Sequence, residues 1–359
     1  MEMNPAPRPP LVDPLASEAA SDYVRVCGEF TDRMFWPLKM FTALNLFLWH
    51  MDAFERDEDP VPLFVDVFTR ATRFLRQATA SGTGMASFPP PATAASGAEG
   101  FEQRIFGLFS DVWVGLTDDV YFDQSYEFTR QRLEKNEIAP GDLFGSKVVL
   151  DAGCGSGKFS CALARFGADR VIGVDLGQKG LSFARDQAAR VSYGHRLDYL
   201  CGSLLDLPLP DASVDLVWSN GVVHHTLDYE RCIGEFARVV KPAGTLFLYV
   251  NGRFGLFELL LDTLRTATAD VPRELFQHFL ILLGINSGRI YWIMDCLYAP
   301  YEWKGRAEVV AMLERNGFSE IRQLTRGVAI DQIEQVSAGL PHAEAKYGEA
   351  QLKFVATRT

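Results

Sequence analysis

The chain has 359 residues, 48% of them hydrophobic, and a formal net charge of −11. That is material for about two domains with buried cores, and the acidic balance with no Lys/Arg cluster excludes a nucleic-acid-binding face. Six cysteines without a Cys-x-x-Cys pair exclude a disulfide framework or zinc site and fit reduced thiols in a cytoplasmic protein.

In chain order, residues 1–15 are rich in proline and are expected to form a disordered tail. They lack the charged segment and apolar run of a signal peptide. Residues 16–77 read as an N-terminal helical element, with Phe64, Phe68, Ala71 and Leu75 at the spacing of one buried helical face. The stretch 34–51 is rich in Phe, Trp and Leu, but Pro37, Lys39, Asn45 and His50 interrupt it. A membrane span needs ~20 mostly apolar residues, so a buried or interface helix is expected, and no membrane partner. Residues 78–100 are a low-complexity run of Ala, Ser, Thr, Gly and Pro and read as a flexible linker.

Residues 101–146 read as a helical cap broken near Gly115. Aromatics are dense here, among them Phe101, Phe106, Phe109, Trp113, Tyr121, Phe122, Tyr126 and Phe128. Two readings stand together. The segment packs on the main domain, and it forms a lid whose rings cover a cationic ligand, because aromatic faces attract cations.

From residue 147 strands and helices alternate: strands at 148–150, 171–174, 197–200, 214–219 and 245–250, with helices ending near 166, 190 and 240 between them. Such alternation implies a parallel sheet covered on both faces. Lys241-Pro242-Ala243-Gly244 is a helix stop signal. Residues 253–304 form a helical, aromatic-rich insertion. A helix at 307–316 and strands at 321–324 and 352–356 follow, the two strands joined by a long connection over 326–351, a length that is often functional.

The first strand runs into Asp151-Ala152-Gly153-Cys154-Gly155-Ser156-Gly157. Alternating glycines let backbone approach a ligand closely and present amides at a helix N-terminus. The dinucleotide fingerprint fails because Lys158 stands where its third glycine belongs. The P-loop fails because Ala152 and Phe159 occupy its glycine and Ser/Thr positions. The remaining pattern, Asp151-x-Gly153-x-Gly155-x-Gly157, closely resembles the class I S-adenosylmethionine (SAM) methyltransferases of small-molecule type. The resemblance covers about 148–250 with good specificity. It implies an α/β fold with a seven-stranded, mostly parallel, doubly wound sheet whose final strand is reversed, here with an added N-terminal helical cap. SAM is the implied cofactor.

Carried over residue by residue, the resemblance places Asp151, Gly153, Gly155 and Gly157 at the cofactor. Asp175, with Leu176 after it, ends the second strand where a carboxylate accepts the ribose hydroxyls. After the third strand many relatives have an acidic residue on the adenine; this chain has Ser203, so Ser203, Leu204 and Asp206 all remain candidates for reading the base. Asn220, Gly221 and Val222 follow the fourth strand and would line the cofactor's amino-acid side. Asn220 is not followed by the prolines of methyltransferases acting on base or glutamine amino groups, which counts against nucleic-acid and protein-amide acceptors. Tyr126 from the cap is assigned to the cofactor and the cavity wall.

His224 and His225 are adjacent and have no carboxylate set at zinc spacing, so no metal is assigned. A histidine facing the acceptor can serve as a general base, and His225 is the candidate, against a purely framework role for the pair. Tyr298 and Tyr301 are the candidates for shaping the reaction cavity, against a packed aromatic cluster. The expected reaction is in-line methyl transfer to a small molecule. Intramolecular use of SAM with release of methylthioadenosine, and SAM binding without turnover, are the rival readings. The N-terminal helices are expected to cover the site or to form a homodimer.

Overall fold

The computed structural model describes residues 13–81, 118–285, 287–299, 301–328 and 331–359. The expected tail up to residue 12, the linker over 82–100 and the first part of the cap, 101–117, lie outside the described residues. The chain divides into two compact units. One comprises Met1–Gly97, Arg253–Ala299 and Ala338–Glu349, the other Ala98–Gly252, Pro300–Ser337 and Ala350–Thr359.

The described helices are, in chain order, α1 (Pro14–Glu29), α2 (Trp36–Phe54), α3 (Pro60–Ser81), α4 (Ser125–Glu134), α5 (Pro140–Phe144), α6 (Lys158–Arg165) and α7 (Gln178–Ala188). They continue with α8 (Tyr229–Val239), α9 (Leu256–Ala267), α10 (Arg273–Leu282), α11 (Ser287–Tyr298), α12 (Arg306–Arg315), α13 (Gln332–Ser337) and α14 (Ala343–Tyr347). The strands are β1 (Val148–Ala152), β2 (Arg170–Asp175), β3 (Leu197–Cys201), β4 (Val214–Asn220), β5 (Val240–Asn251), β6 (Phe318–Gln323) and β7 (Gln351–Arg358). The long connection between β6 and β7 thus holds two short helices, α13 in one unit and α14 in the other.

The α/β unit is built on a seven-stranded sheet in the order β3-β2-β1-β4-β5-β7-β6. β1 to β5 pair in parallel, while β7 runs antiparallel to both β5 and β6, as the resemblance implies. Strands with Val, Ile and Leu on both faces need two apolar layers to cover them. On one face Leu150, Val217 and Leu246 pack with Ile233 and Phe236 of α8 and Leu313 of α12. On the other, Val149, Leu216 and Trp218 pack with Leu163 of α6 and Leu181 of α7, and Trp218 stacks on Phe247 at 3.8 Å. The helix before β5 stops at Val239 beside the predicted stop signal, with Ala243 at φ 59°. Strand order reverses between β1 and β4, which opens a crevice at their carboxyl ends, the usual ligand position in such sheets.

In the other unit, α1, α2 and α3 pack through Tyr23, whose ring meets Phe68 edge-on at 5.5 Å and whose hydroxyl bonds Thr42 Oγ1 at 2.8 Å. Phe64, Phe68 and Leu75 are buried as their spacing predicts, while Ala71 of the same expected face is only half-buried. Lys39, buried on α2, pairs with Asp270 at 2.8 Å beyond the end of α9. Among the described residues no helix is long and apolar enough to cross a membrane.

His50 on α2 is buried against Phe54, Phe64 and Phe68. Its Nδ1 bonds the Leu46 carbonyl at 2.5 Å, and Nε2 has no partner among the described residues. Burial holds the imidazole down to about 4. The unfolded chain therefore takes up a proton near its ordinary pKa while the folded chain does not, and stability falls as pH drops from about 6.5 towards 4. We expect this group to cost about 2 kcal/mol between pH 7 and 5. Urea melts at the two pH values should show that loss reduced in His50→Leu; an unchanged pH dependence would contradict the burial argument.

Candidate active site

The first βα turn is built from backbone that side chains disfavour. Gly153, Gly155 and Gly157 have φ of 78°, 54° and 79°, a region open to glycine at little steric cost. Space is also short. A Cβ on Gly153 would lie 2.5 Å from a Val222 methyl, and one on Gly157 would lie 2.5 Å from the Tyr199 hydroxyl. Gly153 and Val222 thereby bring the turns after β1 and β4 into contact. The Gly153 and Cys154 N–H groups donate to the Val174 carbonyl at 2.8 and 3.1 Å, closing the loop onto the end of β2.

Asp175 ends β2 half-buried. The Gly155 N–H donates to its Oδ2 at 2.9 Å and the Gly177 N–H to its Oδ1 at 2.8 Å. Burial raises its pKa, and the N–H groups of Gly177, Gly155 and Leu176 pull it back. Asp151 is fully buried and accepts the Ser160 hydroxyl at 2.6 Å. Burial, reinforced by the Asp175 charge, pushes it up to about 7 against the pull of Ser160. Two carboxyl groups thus lie below the glycine turn in low dielectric, a setting that favours a cationic ligand.

Beyond β3, Ser203 Oγ accepts from the Leu205 N–H at 3.1 Å, and the Leu204 side chain is buried in the sheet's core. At the end of β4, Asn220 Oδ1 is buried with no partner among the described residues, as is Ser156 Oγ in the glycine turn. Gly221, at φ 80°, donates its N–H to the Tyr249 carbonyl at 3.0 Å.

Residues 223–225 form a single 3-10 turn. The Glu302 N–H donates to the His224 carbonyl at 2.8 Å, which seats Tyr301 on the histidine pair. The Tyr301 ring lies edge-on to His225 at 4.3 Å and stacks on Trp303 at 5.1 Å. His225 and Tyr301, distant in sequence, are therefore brought together. Tyr298 is in the helical unit, where its hydroxyl donates to the Val271 carbonyl at 3.3 Å and its ring meets Phe276 edge-on.

Tyr126 does not reach the glycine turn. Its ring stacks on Phe166 at 4.3 Å under the Arg165 guanidinium, at the opposite end of α6. Among the described residues, Tyr121 meets the turn instead, its hydroxyl donating to the Ser156 carbonyl at 2.6 Å, beside Tyr199 against Gly157. Sequence reasoning passed over Tyr121 and Tyr199; density of aromatics before β1 was the available signal for the first.

A family model described as a methyltransferase domain matches residues 150–248. The malonyl-[acyl-carrier protein] O-methyltransferase of Methylovorus sp. (strain MP688) is 37% identical over 166 residues, 44% of this chain and 54% of that protein. The enzyme of the same description from Yersinia pestis is 40% identical over 157 residues, 43% of this chain and 54% of its own length. The 24-methylenesterol C-methyltransferase 2 of Oryza sativa subsp. japonica is 29% identical over 230 residues, 60% of this chain and 57% of that protein. The chain thus spans about half the length of the relatives it matches. The loop, the strand order and the family match agree, and the α/β unit carries a methyltransferase domain of the class I SAM-dependent superfamily.

Proposed function

We propose that this protein transfers the methyl group of SAM to a small-molecule acceptor. The observation that carries the reading is the glycine turn with Asp175 at the β1/β4 crevice, inside the segment that the methyltransferase model matches.

The donor set suits SAM. Asp175 can accept the two ribose hydroxyls with lone pairs that its amide partners leave over. Asn220 Oδ1 and Ser156 Oγ, buried acceptors without partners among the described residues, suit the ammonium of the amino-acid part. Asp151, pushed up to about 7 by burial, lies beneath the turn as a carboxyl that a bound cation would help to ionise. The glycines keep side chains out of the way, and Leu176 and the Ser203–Leu204 segment offer apolar surface and backbone for the base.

Bound SAM would supply a methyl group already activated on a sulfonium. The residues of this chain then have mainly to align the acceptor behind that methyl group and keep water out. The Tyr301–His225 pair is held at the end of β4 for this, with His225 as the base for an acceptor that must lose a proton. Tyr298, committed to Val271 in the other unit, drops out of this scheme. The relatives include both an O- and a C-methyltransferase by description, so the fold alone does not choose the accepting atom.

Three outcomes follow. Purified protein given SAM and a metabolite extract should form S-adenosylhomocysteine (SAH) by mass spectrometry, and none without extract; methylthioadenosine from SAM alone would instead establish intramolecular chemistry. Asp175→Ala, which removes charge-assisted hydrogen bonds, should weaken SAM binding by roughly 10- to 100-fold in equilibrium dialysis, and undiminished binding would contradict its ribose role. His225→Ala should lower the turnover of a proton-losing acceptor by about 100-fold with SAM affinity kept; equal turnover would leave the histidine a framework role.

A further inference from the structure

Ser156 stands between Gly155 and Gly157, and glycine leaves the backbone on either side of it free to turn at little steric cost. Hydrogen bonds must therefore fix the glycine turn. Within its own segment, the Gly155 N–H is held by Asp175 and the Gly157 N–H donates to the Cys154 carbonyl at 2.9 Å. The Ser156 carbonyl is held from outside that segment. It accepts the Tyr121 hydroxyl at 2.6 Å, from a side chain that is 1% exposed. Both ends of the Ser156–Gly157 peptide are thereby tied, and with them the residue whose buried Oγ has no partner among the described residues.

Tyr121 is delivered by a strap. Asp119–Gln124 form a π-helical turn, a rare conformation that is frequent at functional sites. Its rings pack on one another and on α7: Tyr121 meets Phe122 edge-on at 4.7 Å and Phe183 edge-on at 5.8 Å. Each end of the strap is pinned by an ion pair. Arg190, just beyond α7, donates to the two oxygens of Asp118 at 2.9 and 2.5 Å. Arg165, the last residue of α6, donates to Asp123 at 2.9 Å. These side chains are exposed, and exposed pairs are individually weak and screened by salt. The buried hydroxyl is the inner end of a strap whose outer fastenings are open to solvent.

We infer that Tyr121 is a positioning residue for the cofactor. Its hydroxyl holds the Ser156 peptide in the arrangement that receives the amino-acid part of SAM, so that cofactor affinity follows the strap. The inference rests on the SAM-dependent reading above. It adds a residue and a segment that lie outside the part of the chain matched by the methyltransferase model.

Tyr121→Phe removes the hydroxyl and keeps the ring. SAH affinity in equilibrium dialysis should fall about five- to tenfold, as for one lost buried hydrogen bond. With SAM and a metabolite extract, the KM for SAM should rise by a similar factor while kcat changes little. A bond that merely stabilised the fold would lower the thermal midpoint and leave the affinity of the folded protein unchanged. Asp118→Asn combined with Asp123→Asn loosens the strap from outside and keeps every buried group, which covers the case of a phenylalanine variant that does not fold. SAH has no net charge near neutral pH, so the ligand itself adds little salt dependence. Affinity of the unaltered protein should nonetheless fall about two- to threefold from low to high salt as the outer pairs are screened. The paired asparagine variant should start weaker by about that factor and lose the salt dependence.

Unchanged SAH affinity in Tyr121→Phe would overturn the inference, as would an affinity and salt response in the asparagine variant equal to those of the unaltered protein. So would a lower kcat with affinity kept, because the tyrosine would then act on the chemical step. An unaltered protein that binds no SAH refutes the SAM-dependent reading, and the inference falls with it. One that binds SAH through the strap but never forms it with any acceptor refutes methyl transfer alone and leaves the role of Tyr121 standing.

Discussion

The contact between Gly153 and Val222 is the constraint on which the site depends. The turn after β1 and the turn after β4 approach so closely that a side chain on Gly153 would overlap the Val222 methyls. Strand order reverses between these two strands, so their turns are the walls of the crevice. With the turns in contact, Asp175 reaches the glycine turn from β2, and Asn220 ends β4 two residues before Val222. Glycine here is a packing requirement as much as a matter of φ, and a single added methyl group would force the two walls apart.

The α/β unit buries charge of both signs. Below the glycine turn are two carboxyl groups, Asp151 and Asp175, each raised by burial. Arg132 and Lys353 are buried on one carboxylate, Asp331. Low dielectric strengthens both sets of interactions.

What the sequence made legible follows from periodicity and local geometry. Glycine spacing, strand alternation and the Asp175 position depend on neighbours in sequence, and they led to the loop and the sheet. Tyr126 illustrates the limit. Residues Asp119–Gln124 form a π-helical turn, which adds a residue per turn and shifts the phase of the helix that follows. Helical spacing therefore could not say which aromatic faces the glycine turn, and Tyr121 does so in place of Tyr126. Leu204 was read as cofactor surface, but an apolar side chain beside the sheet gains more from core burial. The Arg132–Asp331–Lys353 cluster joins residues some 200 positions apart (199 for Arg132 and Asp331), and no local pattern announces it.

The central claim is that the crevice between the β1 and β4 turns holds the adenosyl and amino-acid parts of SAM. A crystal structure of the protein with SAH tests it most directly. The account predicts the ribose hydroxyls on the Asp175 carboxylate, the backbone of the glycine turn against the ligand, and the ligand's ammonium within hydrogen-bond distance of Asn220 Oδ1. Density for SAH elsewhere in the molecule, or a ribose turned away from Asp175, would contradict it.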